Sequence, residues 1–168
     1  MTEKAGEGNG AARARQLGLV AAAGSAALLL GALGFQFLGD MPPCKLCIWQ
    51  RWPHLAAVPI GLLFWRFPRP GLALAGALAA ATTAAIGVYH AGVERKWWPG
   101  PDTCTAGPVA GMSPDELFEK IMHTPLVRCD EIPWQLLGIS MAGWNAILSA
   151  LLALLWLMAA QAAFRTRG

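Results

Sequence analysis

Four long stretches of this chain are too apolar to sit comfortably in water, and that limits its fold more than any single motif does. Residues 17–38 carry no charge over 22 positions, enough at about 1.5 Å per residue to cross a hydrocarbon core of about 30 Å. Further apolar spans are predicted over about 47–65, 71–91 and 136–160. Composition agrees: 14% of the residues are charged, well below the roughly 25% of an average soluble domain. The predicted fold is all-α, a four-helix transmembrane bundle with a long periplasmic loop that contains a short amphipathic helix.

The polar segment 1–16 (ending in GAARARQ) reads as a flexible cytoplasmic tail, and 17–164 as one membrane domain. A competing reading makes the first apolar run a secretory signal peptide. That run exceeds the 7–15 residues typical of such a core, and more spans follow it, so a retained helix is preferred. The second span is broken by Pro53 and Pro59 and carries Arg51 and His54, which membrane helices tolerate when neighbours satisfy the freed groups. In the third, Ala73, Ala77, Ala80, Ala81 and Ala84 allow close helix approach.

Basic loop residues orient such a chain. Lys4, Arg13 and Arg15, then Arg66 and Arg69, then Arg165 and Arg167 fall on one side, which places both termini in the cytoplasm. The other side holds the link GDMPP and the loop 92–135, where seven acids face four bases. Trp49, Trp52, Trp97, Trp98 and Trp134 fit an outer aromatic belt, and Trp65 and Trp156 an inner one. The net charge of +3, without a Lys/Arg-rich run, gives no reason to expect nucleic acid.

All four cysteines, Cys44, Cys47, Cys104 and Cys129, then lie outside. In a bacterial-type inner membrane that is the oxidising periplasm, where thiols form disulfides. The stretch PCKLCIWQR (43–51) sets a C-x-x-C pair where a helix begins, and a helix N-terminus favours the thiolate. A lone C-x-x-C also suits half a zinc site or a structural staple. Zinc needs two further ligands at suitable spacing, which the second pair, C-x24-C, does not supply, so no metal is expected.

Arg51 follows Cys47 by four residues and shares its helix face. It can steady a Cys47 thiolate and hold an oxygen of a lipid-soluble molecule, or it can simply snorkel to the headgroups. His90 and Glu94 stand one turn apart at the outer end of the third span, a pattern that interfacial anchoring also explains. His54 reads as a core histidine, and His123 has no visible partner. In the loop, SPDELFEKIMHT reads as a short helix with a capping box from Ser113 to Glu116. Leu117, Phe118, Ile121 and Met122 form its apolar face, suited to the bilayer surface or to packing within the loop.

Taken together, these features resemble the disulfide bond formation protein B (DsbB) family. The resemblance rests on PCKLCIWQR, on four spans with a long second outer loop, and on a cysteine at each end of that loop. It also rests on CDEIPWQLLGISMAGWN (129–145) leading into the last span. It implies an inner-membrane oxidoreductase that reoxidises a periplasmic thioredoxin-like protein of DsbA type and passes the electrons to a membrane quinone, ubiquinone or menaquinone. It also implies that Cys44 and Cys47 are the quinone-proximal pair, Cys104 and Cys129 the partner-facing pair, and Arg51 a quinone-site residue. His90 joins the quinone site by position. A similar four-helix bundle of the vitamin-K-epoxide-reductase type, a paralogue devoted to one substrate, and a membrane scaffold with two inert disulfides remain the alternatives.

Overall fold

The computed structural model describes residues 2–101, 113–123 and 127–166. Helix α1 runs from Thr2 to Phe37, α2 from Lys45 to Arg66 and α3 from Pro70 to Glu94. A short α4 (Pro114–His123) follows in the loop, then a two-stranded hairpin, β1 (Gln135–Leu136) and β2 (Ile139–Ser140), and finally α5 (Met141–Arg165). Residues 2–16, expected as a tail, are helical. No proline precedes Pro42, and Ala, Glu, Lys, Arg and Gln are strong helix formers that carry α1 back toward its start.

The four long helices close a ring in which α1 packs on α2 and α5, and α3 packs on the same two. Three of them, Gly10–Phe37 within α1, Pro70–Glu94 and Met141–Arg165, are long and apolar enough to cross a membrane. Helix α2, with 22 residues, is long enough but is not one of these, because Gln50, Arg51 and His54 interrupt its apolar run. Leu30, Leu62, Leu78, Val88 and Leu151 point outward, as side chains facing lipid do.

Inside the ring, small residues set the spacing. On α3, Ala73, Ala77, Ala80, Thr83, Gly87 and His90 follow one another at three- and four-residue steps, with Gly76 beside Ala77, and all are buried. Ala81, expected at an interface, faces outward instead. Trp156 of α5 fills the space left at Gly76, where a Cβ would stand 2.5 Å from the indole, and meets Phe64 edge to face at 5.8 Å. Trp156 is therefore fully buried core and not part of an inner aromatic belt, whereas Trp65 is exposed as a belt residue should be.

The last span also differs from expectation. Residues 136–140 belong to the hairpin, whose turn is Leu137 (φ 54°) and Gly138 (φ 74°). Both central residues have positive φ, the geometry of a type I′ turn. Helix α5 starts only after Ser140, whose hydroxyl accepts from Gly143 N–H at 3.1 Å. Trp144 Nε1–H ties the hairpin down by donating to the Leu136 carbonyl at 3.1 Å. Helix α4 matches its expected bounds and has its capping box: Ser113 N–H donates to Glu116 Oε2 at 2.8 Å, and Glu116 N–H donates to Ser113 Oγ at 3.3 Å. Phe118 is exposed, and the side chains of Leu117, Ile121, Met122 and His123 lie outside the described residues.

A Cβ at Gly87 would meet the Ala146 and Ala142 backbone at 3.0–3.1 Å, which cannot move aside as a side chain can. Gly87→Ala should therefore cost about 1–3 kcal/mol through overpacking of α3 on α5. Gly31→Ala, with nothing within 4 Å, should be neutral or slightly stabilising. Thermal unfolding in detergent micelles, followed by circular dichroism, compares the two.

Candidate functional site: a dithiol above a buried polar chain

Pro42 and Pro43 keep the chain extended before α2, so the helix opens at Cys44, with φ −72° and ψ 171°. Cys44 is the N-cap, and its sulfur accepts from Cys47 N–H at 3.1 Å. Both cysteines are free thiols, their sulfurs 2.7 Å apart. Cys44 is buried and Cys47 is half-buried. The Cys44 thiol is pushed far above the usual range, first by its hydrogen bond with Cys47 and then by burial, so Cys44 holds its proton tightly.

Cys129 comes to the same place from the far end of the loop. It is buried with Cys44, Leu46 and Val93 in a small core separate from the one around Trp156, with Cys47 and Val127 packed on its edge. Cys129 is disulfide-bonded, and Cys104 lies outside the described residues. Beside it, Arg128 donates to Asp130 Oδ1 at 3.0 Å and to Oδ2 at 2.9 Å, and reaches Glu131 at 3.4 Å. That fork holds the Asp130 carboxyl below the usual carboxylate range and fixes the turn around Cys129.

His90 is the hinge of the arrangement. Its Nε2 lies 3.6 Å from Cys44 Sγ and 3.9 Å from Glu94 Oε1, and the Cys129 backbone hydrogen-bonds the same ring. Gln50 Nε2 meets Nδ1 at 2.9 Å. An amide N–H₂ can only donate, so Nδ1 accepts and Nε2 carries the ring proton toward Cys44. Glu94 is buried rather than anchored in the headgroups, and its Oε2 has no hydrogen-bond partner.

Below His90 the polar groups continue into the bundle. Asn145 Nδ2 donates to Gln50 Oε1 at 2.7 Å and to Thr83 Oγ1 at 3.2 Å, while Thr83 donates to the Gln50 carbonyl at 2.9 Å. Asn145 Oδ1 lies 3.2 Å from His54 Nε2, which Ser149 Oγ also meets at 3.2 Å. His54 is thus a core histidine with partners, as its periodicity implied. Gln50, Thr83, Asn145 and Ser149 were not singled out from the sequence. A polar residue within an apolar span is the signal that points to them.

Arg51 stands near Cys47 as its spacing implied, and it also docks on a second helix. It is close enough to Cys47 to act on it as a charge, but its guanidinium docks on α1. There Nη1–H donates to Gln36 Oε1 at 2.6 Å and Nη2–H to the Ala32 carbonyl at 3.3 Å. Its Nε is buried without a hydrogen-bond partner. Snorkelling does not describe a fork held between two helices.

Fold and site together define an integral membrane protein of the thiol–disulfide oxidoreductase class, with a vicinal dithiol packed against a disulfide-bonded cysteine. Residues 14–159 match the family described as disulfide bond formation protein DsbB. Among curated proteins named disulfide bond formation protein B, that of Shewanella sp. (strain MR-4) is 32% identical over 142 residues, covering 81% of each chain. That of Pasteurella multocida (strain Pm70) is 31% identical over 140 residues, covering 78% of each. No solved structure matches the chain. The chain belongs to the DsbB family and is a membrane disulfide-generating oxidoreductase with the thiol oxidase activity general to that family.

Asn145→Ala would strip hydrogen bonds from Gln50, Thr83 and His54 at once. Leaving buried polar groups unpaired costs about 1–3 kcal/mol, so its thermal midpoint in micelles should fall clearly below wild type. An unchanged midpoint would mean that these groups find other partners.

Proposed function

We propose that this protein reoxidises a periplasmic thioredoxin-like dithiol protein of DsbA type and delivers the electrons to a membrane quinone. In this reading it sits in a bacterial inner membrane as four spans, with α2 the fourth, both termini cytoplasmic and all four cysteines periplasmic. The observation that carries the reading is the burial of Cys129 against Cys44 in one small core. It supports exchange between a loop cysteine and the dithiol without a large movement.

The sequence of bonds is as follows. A thiolate of the reduced partner attacks Cys104 of a Cys104–Cys129 disulfide, and Cys129 leaves as a thiolate. Cys129 attacks Cys44 of an oxidised Cys44–Cys47 pair, making a Cys44–Cys129 bridge and releasing Cys47. The partner's second thiol resolves its mixed disulfide and frees Cys104. Cys104 then attacks Cys129, which restores the loop disulfide and leaves Cys44 and Cys47 reduced. Each step exchanges one sulfur–sulfur bond for another, and two electrons end on the dithiol.

The residues present fit a quinone. Arg51, whose charge reaches Cys47, keeps a buried, unpartnered Nε–H and would hold a quinone oxygen, with His90 next to Cys44. The bound quinone supplies a two-electron, two-proton acceptor for the dithiol. The chain's own part is to keep Cys44 protonated by Cys47 and burial, to place the Arg51 charge by Cys47, and to pack the dithiol away from bulk water. The free Cys44 and Cys47 thiols weigh against a scaffold whose two cysteine pairs are inert staples.

Quinone reduction by the purified protein, given a reduced thioredoxin-like partner, tests the reading directly; no turnover would refute it. A reduced partner that lacks its second cysteine should accumulate as a mixed disulfide with Cys104, and an adduct on Cys44 would overturn the order of steps. Arg51→Lys keeps the charge but loses the planar fork. A charge-assisted hydrogen bond contributes about 1.5–3 kcal/mol, so the apparent KM for quinone should rise roughly ten- to a hundredfold with partner saturating. An unchanged KM in Arg51→Lys and Arg51→Ala alike would return Arg51 to its docking role on α1.

A further inference from the structure

We infer that, when Cys44 and Cys47 are reduced, they form with His90 and Glu94 a four-donor site for a thiophilic divalent cation, Zn²⁺ being the best fit, which locks the dithiol out of exchange. Cysteine spacing alone predicts no metal, because C-x24-C offers no second knuckle. The missing donors come instead from one turn of α3, laid across the N-terminus of α2.

The donor set and its dimensions carry the inference. The ligand atoms of Cys44, Cys47 and His90 all lie within 4.8 Å of one another. Tetrahedral zinc, with bonds of about 2.3 Å to sulfur and 2.0–2.1 Å to nitrogen, needs edges of about 3.8 Å between sulfurs and about 3.5 Å from sulfur to nitrogen. Cys44 Sγ to His90 Nε2 already measures 3.6 Å. The sulfurs, at 2.7 Å, must open by about an ångström to reach that spacing, a change within reach of the side-chain torsions. Glu94 stands outside that mutual 4.8 Å group and must turn its side chain to become the fourth donor: Oε1 is 3.9 Å from His90 Nε2, and the buried Oε2 has no hydrogen-bond partner to give up.

Charge points the same way. Two thiolates and the Glu94 carboxylate bring three negative charges into a buried corner, and Zn²⁺ with the nearby Arg51 guanidinium would neutralise them. Thiolate, imidazole and carboxylate together are a zinc-type set rather than a magnesium or calcium one. Half-buried Cys47 gives the ion a way in.

Binding displaces the two thiol protons to solvent and involves no electron transfer. It also moves the imidazole proton from Nε2 to Nδ1. The Gln50 amide must then turn over to offer its oxygen, giving up its bonds with the Leu46 carbonyl and with Asn145, which keeps Thr83 Oγ1, and Gln50 becomes the group behind the ligand. Oxidation to a Cys44–Cys47 disulfide removes two of the four donors, and the site exists only in the reduced protein.

The test uses the full chain in micelles, reduced, with Zn²⁺ titrated against a chromophoric chelator and Co²⁺ as the spectroscopic probe. One ion per chain should bind, and Co²⁺ should show tetrahedral d–d bands with thiolate charge-transfer absorption. Cys104→Ala/Cys129→Ala should keep both signals, and Cys47→Ser and the oxidised protein should lose them. Gln50→Glu places a carboxylate behind His90 and should tighten Zn²⁺ roughly ten- to a hundredfold, a gain that no loss of folding can mimic. The dithiol midpoint potential should rise by about 30 mV for each tenfold excess of Zn²⁺ over its Kd. Binding that survives Cys47→Ser or oxidation, or an octahedral Co²⁺ spectrum, would overturn the site. None of these readouts uses quinone or partner, so failure here leaves the proposed relay standing, and failure of the relay leaves this site standing.

Discussion

The hydrogen-bonded chain from His90 through Gln50 to Asn145 is the constraint on which the functional end of the molecule depends. In water such groups would be solvated whichever way they pointed. Between packed helices they must find one another, and only one relative placement of α2, α3 and α5 lets Gln50, Thr83, Asn145, His54 and Ser149 do so. That placement sets the rotation of α3, and with it the position of His90 beside Cys44. Apolar contacts between membrane helices could not select it alone, because lipid tails are as apolar as leucine.

Close packing makes the placement possible. Gly18, Gly61, Gly76 and Gly87 let neighbouring helices or large side chains approach to distances that a Cβ would block. Trp156 and Phe64 then fill the cytoplasmic half of the proposed topology, and the polar chain occupies the half toward the cysteines. The bundle is thus divided along its length into a dry, aromatic end and a wired end. Its chemistry sits where α2 begins, since the first turn of a helix leaves N–H groups free to face a sulfur.

The described part of the loop contributes a buried cysteine. Cys129 is held by a bidentate Arg128–Asp130 pair and by packing on Leu46 and Val93, so it meets the dithiol from a fixed position. The hairpin that follows gives the chain a sharp return into α5, capped by Ser140. Ser140 also hydrogen-bonds Glu94, which joins the start of α5 to the end of α3 next to the sulfurs. Loop, hairpin and three helix ends therefore converge on a few ångströms of structure.

The sequence by itself determined the long helices, the cysteine pair at a helix start, the loop helix with its capping box, and the family, since each rests on local spacing or composition. It misplaced the start of α5, because QLLGIS is apolar enough to read as helix and Leu137 is an unusual residue for positive φ. It placed Trp156 at an interface because tryptophan near a span end commonly lies there, and only the gap at Gly76 shows otherwise. It named Cys44, Cys47, Arg51 and His90 but not Gln36, Gln50 or Asn145, whose roles depend on partners between 15 and 95 residues away. Tertiary structure alone decided which polar side chains meet, because in a membrane bundle that choice follows from helix rotation, which no local pattern encodes.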